Sequence, residues 1–243
     1  MIPKIIHYCW FGGNPLPSDV KQCIKSWKRM CPDYEVICWN EANFDVNAHP
    51  FTRDAYKARA WAFVSDFVRL KVVYDNGGIY LDTDVELLKN LDSLLKYECY
   101  IGVQQYKLLC TTGLGFGAEK ENPIVKKMLD KYDGLIFSDD NKELFACPYL
   151  NNEVIKQMGY VYTENPFEIE KTMILPCQYF DPLAPGNESK NLMCSDTISI
   201  HHYSASWLDN RTKLRRKIIR SIDPRLVDYI KKIIKRISFG KRE

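Results

Sequence analysis

The run Gly77-Gly78-Ile79-Tyr80-Leu81-Asp82-Thr83-Asp84 constrains this chain more than any other segment. Two glycines end a helical stretch, an apolar strand follows, and two carboxylates one residue apart close it. Side chains of an extended segment alternate, so Asp82 and Asp84 are expected on the same face. Carboxylates held that close repel unless a cation lies between them. A divalent metal with hard oxygen ligands, carried in with substrate phosphates, meets that need. A lone Asp-x-Asp also arises in ordinary surface turns. Its place at the end of an apolar strand matters, because ligands of α/β sheets bind outside the carboxyl ends of their strands.

The flanking pattern predicts such a sheet. Residues 4–11 read as a β-branched and aromatic strand stopped by Gly12-Gly13-Asn14-Pro15. Ser18 or Asp19 can cap a helix reaching about Met30, and residues 34–39 read as a second strand. Residues 55–74 carry a helical period whose broad apolar face includes Ala62, Phe67, Leu70 and Val73. Asn76-Gly77-Gly78 is expected to end that helix in a left-handed turn, and a strand over 79–81 follows. Further strands are expected at 100–105, 114–118 and 197–203, and helices at 123–132 and 152–158. Residues 85–95 and 133–148 show no clear pattern. The alternation of β and α elements predicts an α/β domain on a mostly parallel sheet.

A chain of 243 residues with 46% hydrophobic and 27% charged residues has a globular rather than a disordered composition. No apolar run approaches the ~18 residues of a membrane-spanning helix. The short apolar N-terminus, with Pro3 and His7, reads as a strand and not as a signal peptide. The nine cysteines form no C-x-x-C pair, which suits reduced thiols in a cytosolic compartment better than disulfides or a zinc site. From Asp209 onward thirteen Lys and Arg face four Asp and Glu, a net +9 that leaves the rest at −6 within a total of +3. Ile218, Ile222, Leu226, Ile230 and Ile233 recur among these cations at helical spacing, interrupted by Pro224. The expected organisation is a domain over 1–208 and a tail of basic amphipathic helices over 209–243. That tail either packs on the domain or lies on an anionic membrane. No stacking platform accompanies the charge, so nucleic acid is not an expected partner.

Upstream of the glycines, Ser65, Asp66 and Arg69 sit among Phe63, Val64, Phe67 and Leu70. Positions i and i+3 of a helix share a face, so Asp66 and Arg69 can pair. An exposed pair would be a solvated surface contact. Among such neighbours at least one charge lies near the core, where it is costly unless paired or in use. Together, Ser65-Asp66-x-x-Arg69 and Gly77-Gly78-Ile79-Tyr80-Leu81-Asp82-Thr83-Asp84 resemble the sugar-binding region of glycosyltransferases with an Asp-x-Asp motif. That family includes the yeast initiating α-1,6-mannosyltransferase, bacterial capsular and lipopolysaccharide glycosyltransferases and, more distantly, the clostridial glucosylating toxins. The opening run from Ile2 through Trp10 and Phe11 to Gly13 is similar to the family's first strand. The run His201-His202-Tyr203-Ser204-Ala205-Ser206-Trp207 is similar to its C-terminal signature.

The resemblance implies a GT-A fold, in which a nucleotide-binding α/β half is fused to an acceptor-binding half, and transfer with retention of anomeric configuration. It implies a nucleotide-sugar donor, a UDP-sugar ahead of a GDP-sugar, and Mn2+ or Mg2+. Trp10 would stack on the base, with Phe11, Ser65, Tyr80 and Thr83 also lining the donor site and Tyr80 near the ribose. Asp66 and Arg69 would hold sugar hydroxyls. Asp82 would reach ribose, sugar or a metal-bound water, and Asp84 would ligate the metal. His202, or alternatively His201, would add a ligand, and neighbours in a strand face opposite ways, so one at most serves. Trp207 would donate its indole N–H to the diphosphate. Asn152, between Asn151 and Glu153, would face the reacting sugar or the acceptor, a surface polysaccharide or lipid-linked glycan. Such an enzyme is expected in the cytoplasm, on the inner face of the membrane. Two rivals remain open. Asp82-Thr83-Asp84-Val85 also fits the nucleophile motif of haloacid dehalogenase-type phosphohydrolases, with Asp82 phosphorylated. The chain could instead be a glycan- or membrane-binding module without chemistry.

Overall fold

A computed structural model describes residues 1–138, 140, 145–186 and 188–204. Trp207 and the basic tail expected over 209–243 lie outside the described residues. The chain opens with β1 (Ile5–Cys9), α1 (Ser18–Met30) and β2 (Glu35–Trp39), close to the expected bounds. Helix α1 starts from Pro17, with no side-chain cap from Ser18 or Asp19. The single helix expected over 55–74 is instead two, α2 (Pro50–Lys57) and α3 (Trp61–Asn76). Between them Arg59 takes a φ of 57°, a left-handed turn that no glycine or proline announces. Pro50 in the first turn and His49 Nδ1, accepting from Phe51 N at 3.2 Å, begin α2.

Helix α3 ends at Gly77, whose φ of 68° and ψ of −173° turn the chain directly into β3 (Gly78–Tyr80). That ψ lies outside the left-handed helical region expected for the stop. The approach is close as well, since a Cβ on Gly78 would stand 2.7 Å from His7 Nε2. His7 is buried in β1, bonds Gly77 O through Nε2 at 2.8 Å and accepts from Trp39 Nε1 at Nδ1, 3.0 Å away. Those partners fix a neutral ring with its proton on Nε2, and burial lowers the His7 pKa accordingly. A polar clasp therefore fixes the strand that leads to the aspartates.

The remaining elements are β4 (Val85–Leu87), β5 (Cys99–Val103), β6 (Cys110–Ala118), α4 (Pro123–Asp130), α5 (Cys147–Gln157), β7 (Phe167–Ile169), β8 (Thr172–Leu175), α6 (Cys177–Phe180) and β9 (Ser199–His201). The strands form a mixed sheet in the order β2-β1-β3-β6-β5-β8-β7, with β4 and β9 paired separately and antiparallel. Strand β1 is parallel to both β2 and β3, and β5 is parallel to β8, while β6 runs antiparallel to β3 and β5. Strands β4, β7 and β8 were not expected, because three or four residues are too few to display a period. Apolar clusters cover both faces of the sheet. Ile79 of β3 and Leu81 just after it join the one that includes Trp27 and Phe180, and Tyr80 joins the one that includes Phe51, Val68 and Tyr132. Trp27 Nε1 donates to Val85 O at 2.7 Å, tying α1 to β4. The nine cysteines are unpaired. Among the described residues no helix is long and apolar enough to cross a membrane.

Candidate active site

Strand β3 stops at Tyr80, and Val85 N donates to Asp82 O at 3.0 Å, closing a turn over the aspartates. The two carboxylates are thus brought together by a turn, and not by the continued strand period expected. Asp82 stays on the α3 side of the sheet, two residues beyond Tyr80. There Arg69 Nη2 lies 3.0 Å from Asp82 Oδ1 and 3.0 Å from Asp66 Oδ1. The guanidinium also sits over the Tyr80 ring, 4.8 Å from its centroid, and Tyr80 donates its hydroxyl to Asp82 Oδ1 at 3.1 Å. Cys147 N, in the first turn of α5, donates to Asp66 Oδ2 at 3.3 Å. Gly113 of β6 leaves room for this assembly, since a Cβ there would stand 2.5 Å from Asp82 Oδ2. The Asp82 side chain is 26% exposed against 5% for Arg69, so the cluster opens outward at Asp82.

Burial pushes the Asp82 carboxyl up to about 6 against the pull of Arg69, and the like charge of Asp84 adds to the rise. Asp66 is also raised by burial, despite Arg69 beside it. For Arg69 burial opposes the charge, but Asp82 and the surrounding acidic groups outweigh it and keep the guanidinium protonated.

Asp84 has different company. His201 Nε2 of β9 stands 3.0 Å from its Oδ1, and Ser204 donates N at 2.8 Å and Oγ at 3.3 Å to its Oδ2. Burial alone would raise Asp84, but His201 and these Ser204 bonds hold it well below the usual carboxylate range. His201 responds in the opposite sense: burial lowers it, and the Asp84 charge more than restores it, so its pKa is raised. Its ring packs edge-on against Tyr203 at 4.1 Å. One ligand atom each from Asp82, Asp84 and His201 all lie within 4.8 Å of one another. Beside Asp84 is a cavity of about 310 Å³, reached from Asp19, Gln22 and Cys23 of α1 and from Glu86, His202 and Ser204.

Several expected site residues stand elsewhere. His202 is not the histidine beside the aspartates: β9 alternates, so His201 turns toward Asp84 while His202 Nε2 meets Glu86 Oε2 at 2.9 Å. Asn152 is buried, and its Oδ1 accepts from Cys110 N at 3.0 Å, which anchors the start of β6. Neighbouring Asn151, also buried, donates to Thr112 Oγ1 at 2.8 Å, and Glu153 pairs with Lys131 at the surface. Phe11 is a core residue set edge-on to Phe44. Tyr80 is buried beneath Arg69 and has no surface for a ribose, and Thr83 is buried in the turn. Ser65 Oγ donates to Trp61 O within α3. Trp10 is half-buried at the end of β1, its Nε1 donating to Asn14 O at 2.6 Å. Three contributors escaped the sequence reading. Gly113 had a signal, the alternation Gly113-Leu114-Gly115-Phe116-Gly117 of a strand pressed by bulky neighbours. Ser204 lay unassigned in the C-terminal signature, and nothing marked Cys147.

Residues 17–101 match the family described as glycosyltransferase sugar-binding region containing DXD motif. A similar protein is inositol phosphoceramide mannosyltransferase 3 of Schizosaccharomyces pombe, 35% identical over 153 residues, or 61% of this chain. The match spans 40% of that relative's length. An uncharacterized glycosyltransferase, L373 of Acanthamoeba polyphaga mimivirus, is 28% identical over 85% of this chain and 84% of its own. Among solved structures, the PaToxG glycosyltransferase superposes with a TM-score of 0.53 at 22% identity, covering 64% of this chain and 69% of that one. The fold is that of the GT-A glycosyltransferases.

Proposed function

We propose that this chain, whose residues 17–101 carry the DXD-containing sugar-binding region of glycosyltransferases, is a metal-dependent, retaining glycosyltransferase. It would move a hexose or N-acetylhexosamine from a nucleotide-sugar to a lipid-linked or surface glycan. The observation that carries this reading is the convergence of Asp82, Asp84 and His201, with ligand atoms within 4.8 Å of one another, beside the buried Arg69. Two carboxylates and one imidazole nitrogen suit Mn2+ or Mg2+, the nitrogen tilting the choice toward Mn2+. Such an ion, when bound, neutralises charge on the departing diphosphate.

The protein's own groups prepare that site. Ser204 occupies Asp84 Oδ2 and so aims Oδ1 toward His201 and Asp82. Arg69, locked between Asp66 and Asp82, holds both carboxylates where donor hydroxyls can reach their outward side. For retention, the departing phosphate oxygen takes the acceptor's proton on the face it leaves, as the new bond to the sugar forms. The name of the S. pombe relative supports a lipid-linked acceptor. The basic segment after residue 208 supports attachment to an anionic, cytoplasm-facing membrane. The phosphohydrolase alternative fares worse, because Asp82 Oδ1 already accepts from Arg69 and Tyr80, a poor state for a nucleophile.

The test is Mn2+-stimulated turnover of UDP- and GDP-sugars by the full chain. Asp84→Asn and His201→Gln are each expected to lose about 100-fold or more, as when a group stabilising transition-state charge is removed. His202→Gln should stay within about twofold, as expected for an exposed side-chain contact with Glu86. Undiminished stimulation in Asp84→Asn, with the fold intact by circular dichroism, would sink the metal assignment.

A further inference from the structure

The turn between β5 and β6 is built more firmly than a surface connection requires. Lys107 and Leu108 both hold left-handed backbone, at φ of 57° and 52°. Strained residues of that kind persist only where their surroundings fix them, and they gather at binding sites. The fixing is visible here. Gln105 N donates to Asp181 Oδ2 at 2.7 Å, and Gln105 Nε2 donates to Asp181 O at 2.8 Å and Lys190 O at 3.0 Å. Lys190 N returns a bond to Gln105 Oε1, and Tyr160 donates its hydroxyl to Leu108 O at 3.0 Å.

What this clamped turn presents is unusual for a surface. Tyr106 is 62% exposed and Tyr149, from α5, is 41% exposed. Lys107 Nζ lies between them, 5.3 Å from one ring centroid and 5.2 Å from the other, and donates to the Tyr149 hydroxyl at 3.1 Å. Among the described residues no carboxylate pairs with this ammonium. Two aromatic faces beside a lysine that no described carboxylate compensates suit a ring with C–H faces and an anionic substituent.

The platform also stands beside the reaction site. Strand β6 runs antiparallel to β3, so the turn that feeds it lies at the edge of the sheet where β3 ends, and Asp82 N donates to Gly113 O of that strand. From the other side, Asp181, which clamps Gln105, is hydrogen-bonded by Tyr203, whose ring packs on His201.

We propose that Tyr106, Lys107 and Tyr149 form the acceptor platform and that the acceptor is an acidic cyclic polyol, a sugar or related ring bearing a phosphate or carboxylate. The proposal rests on the transferase reading for its meaning but can be tested apart from it. The full chain is titrated by saturation-transfer NMR with mannose, mannose 6-phosphate, glucuronate and inorganic phosphate. Mannose 6-phosphate or glucuronate is expected to bind at least about fivefold tighter than mannose, in keeping with a charge-assisted hydrogen bond. Which of the two binds better separates phosphate from carboxylate. Lys107→Met should erase that preference, and the double variant Tyr106→Ala, Tyr149→Ala should weaken every ring ligand about tenfold or more. Donor hydrolysis, which needs no acceptor, should remain within about twofold in all variants. Equal affinity for neutral and acidic rings, binding no better than that of inorganic phosphate, or variants indistinguishable from the parent would each overturn the platform. Absence of donor hydrolysis in the parent would instead overturn the transferase reading.

Discussion

Asp82 and Asp84 share one turn, yet their surroundings are assembled by opposite routes and have opposite electrostatic effects. The partners of Asp82 are near in sequence: Tyr80 precedes it, and Asp66 and Arg69 come from the helix just upstream. The partners of Asp84, His201 and Ser204, return from about 120 residues away. Around Asp82, burial wins and the carboxyl rises to about 6, whereas around Asp84 the imidazole and the Ser204 donors win and the carboxylate is held ionised. A single turn therefore offers one carboxylate that exchanges protons near neutrality and one that does not. Charge count alone could not have distinguished them; what differs is who donates to each oxygen.

The largest blow to this contrast should come from Arg69→Ala. It strands Asp66 and Asp82 without their shared cation in a buried setting, at a cost of about 3–5 kcal/mol. Urea denaturation would measure it, and a loss below 1 kcal/mol would mean that the trio behaves as a solvated surface pair. A smaller loss, about 1–3 kcal/mol, is expected for Gly113→Ala, whose new Cβ must displace the Asp82 carboxylate from a 2.5 Å approach. That variant should also weaken Mn2+ binding through Asp82 while leaving the Ser204 bonds to Asp84 in place. The mildest effect is one of pH. As pH falls through about 6, Asp82 takes up a proton that competes with a cation, whereas Asp84 remains ionised. Calorimetric Mn2+ affinity should therefore drop from pH 7.5 to 5.5 by at least about fourfold, the share of Asp82, with protonation of His201 adding to it. A flat profile would show that the two carboxylates do not differ as described.

The same division explains what could be read in advance. The β-α-β opening, the glycine entry and the Asp66–Arg69 pair were legible because each is a local pattern with a period or a spacing. The break between α2 and α3 was not, since Arg59 adopts its positive φ with no glycine to mark it. The structural role of Asn152 was hidden for a related reason. Its bond to Cys110 N crosses from α5 to β6, and nothing in the order of residues around it reveals that an amide is needed there. The choice between His201 and His202 depended on the register of β9 against β4, where Val85 faces His201. A sequence narrows that to two residues facing opposite ways and stops.

The long return of Ser204 to Asp84 sets the order in which the chain can assemble its site. The nascent chain can assemble Arg69 with its two carboxylates as soon as the sheet from β1 to β6 exists. Asp84 gains its imidazole and its hydroxyl only when residues 199–204 have been made and β9 has paired with β4. The Asp84 half of the site is thereby completed only in the closing steps of folding.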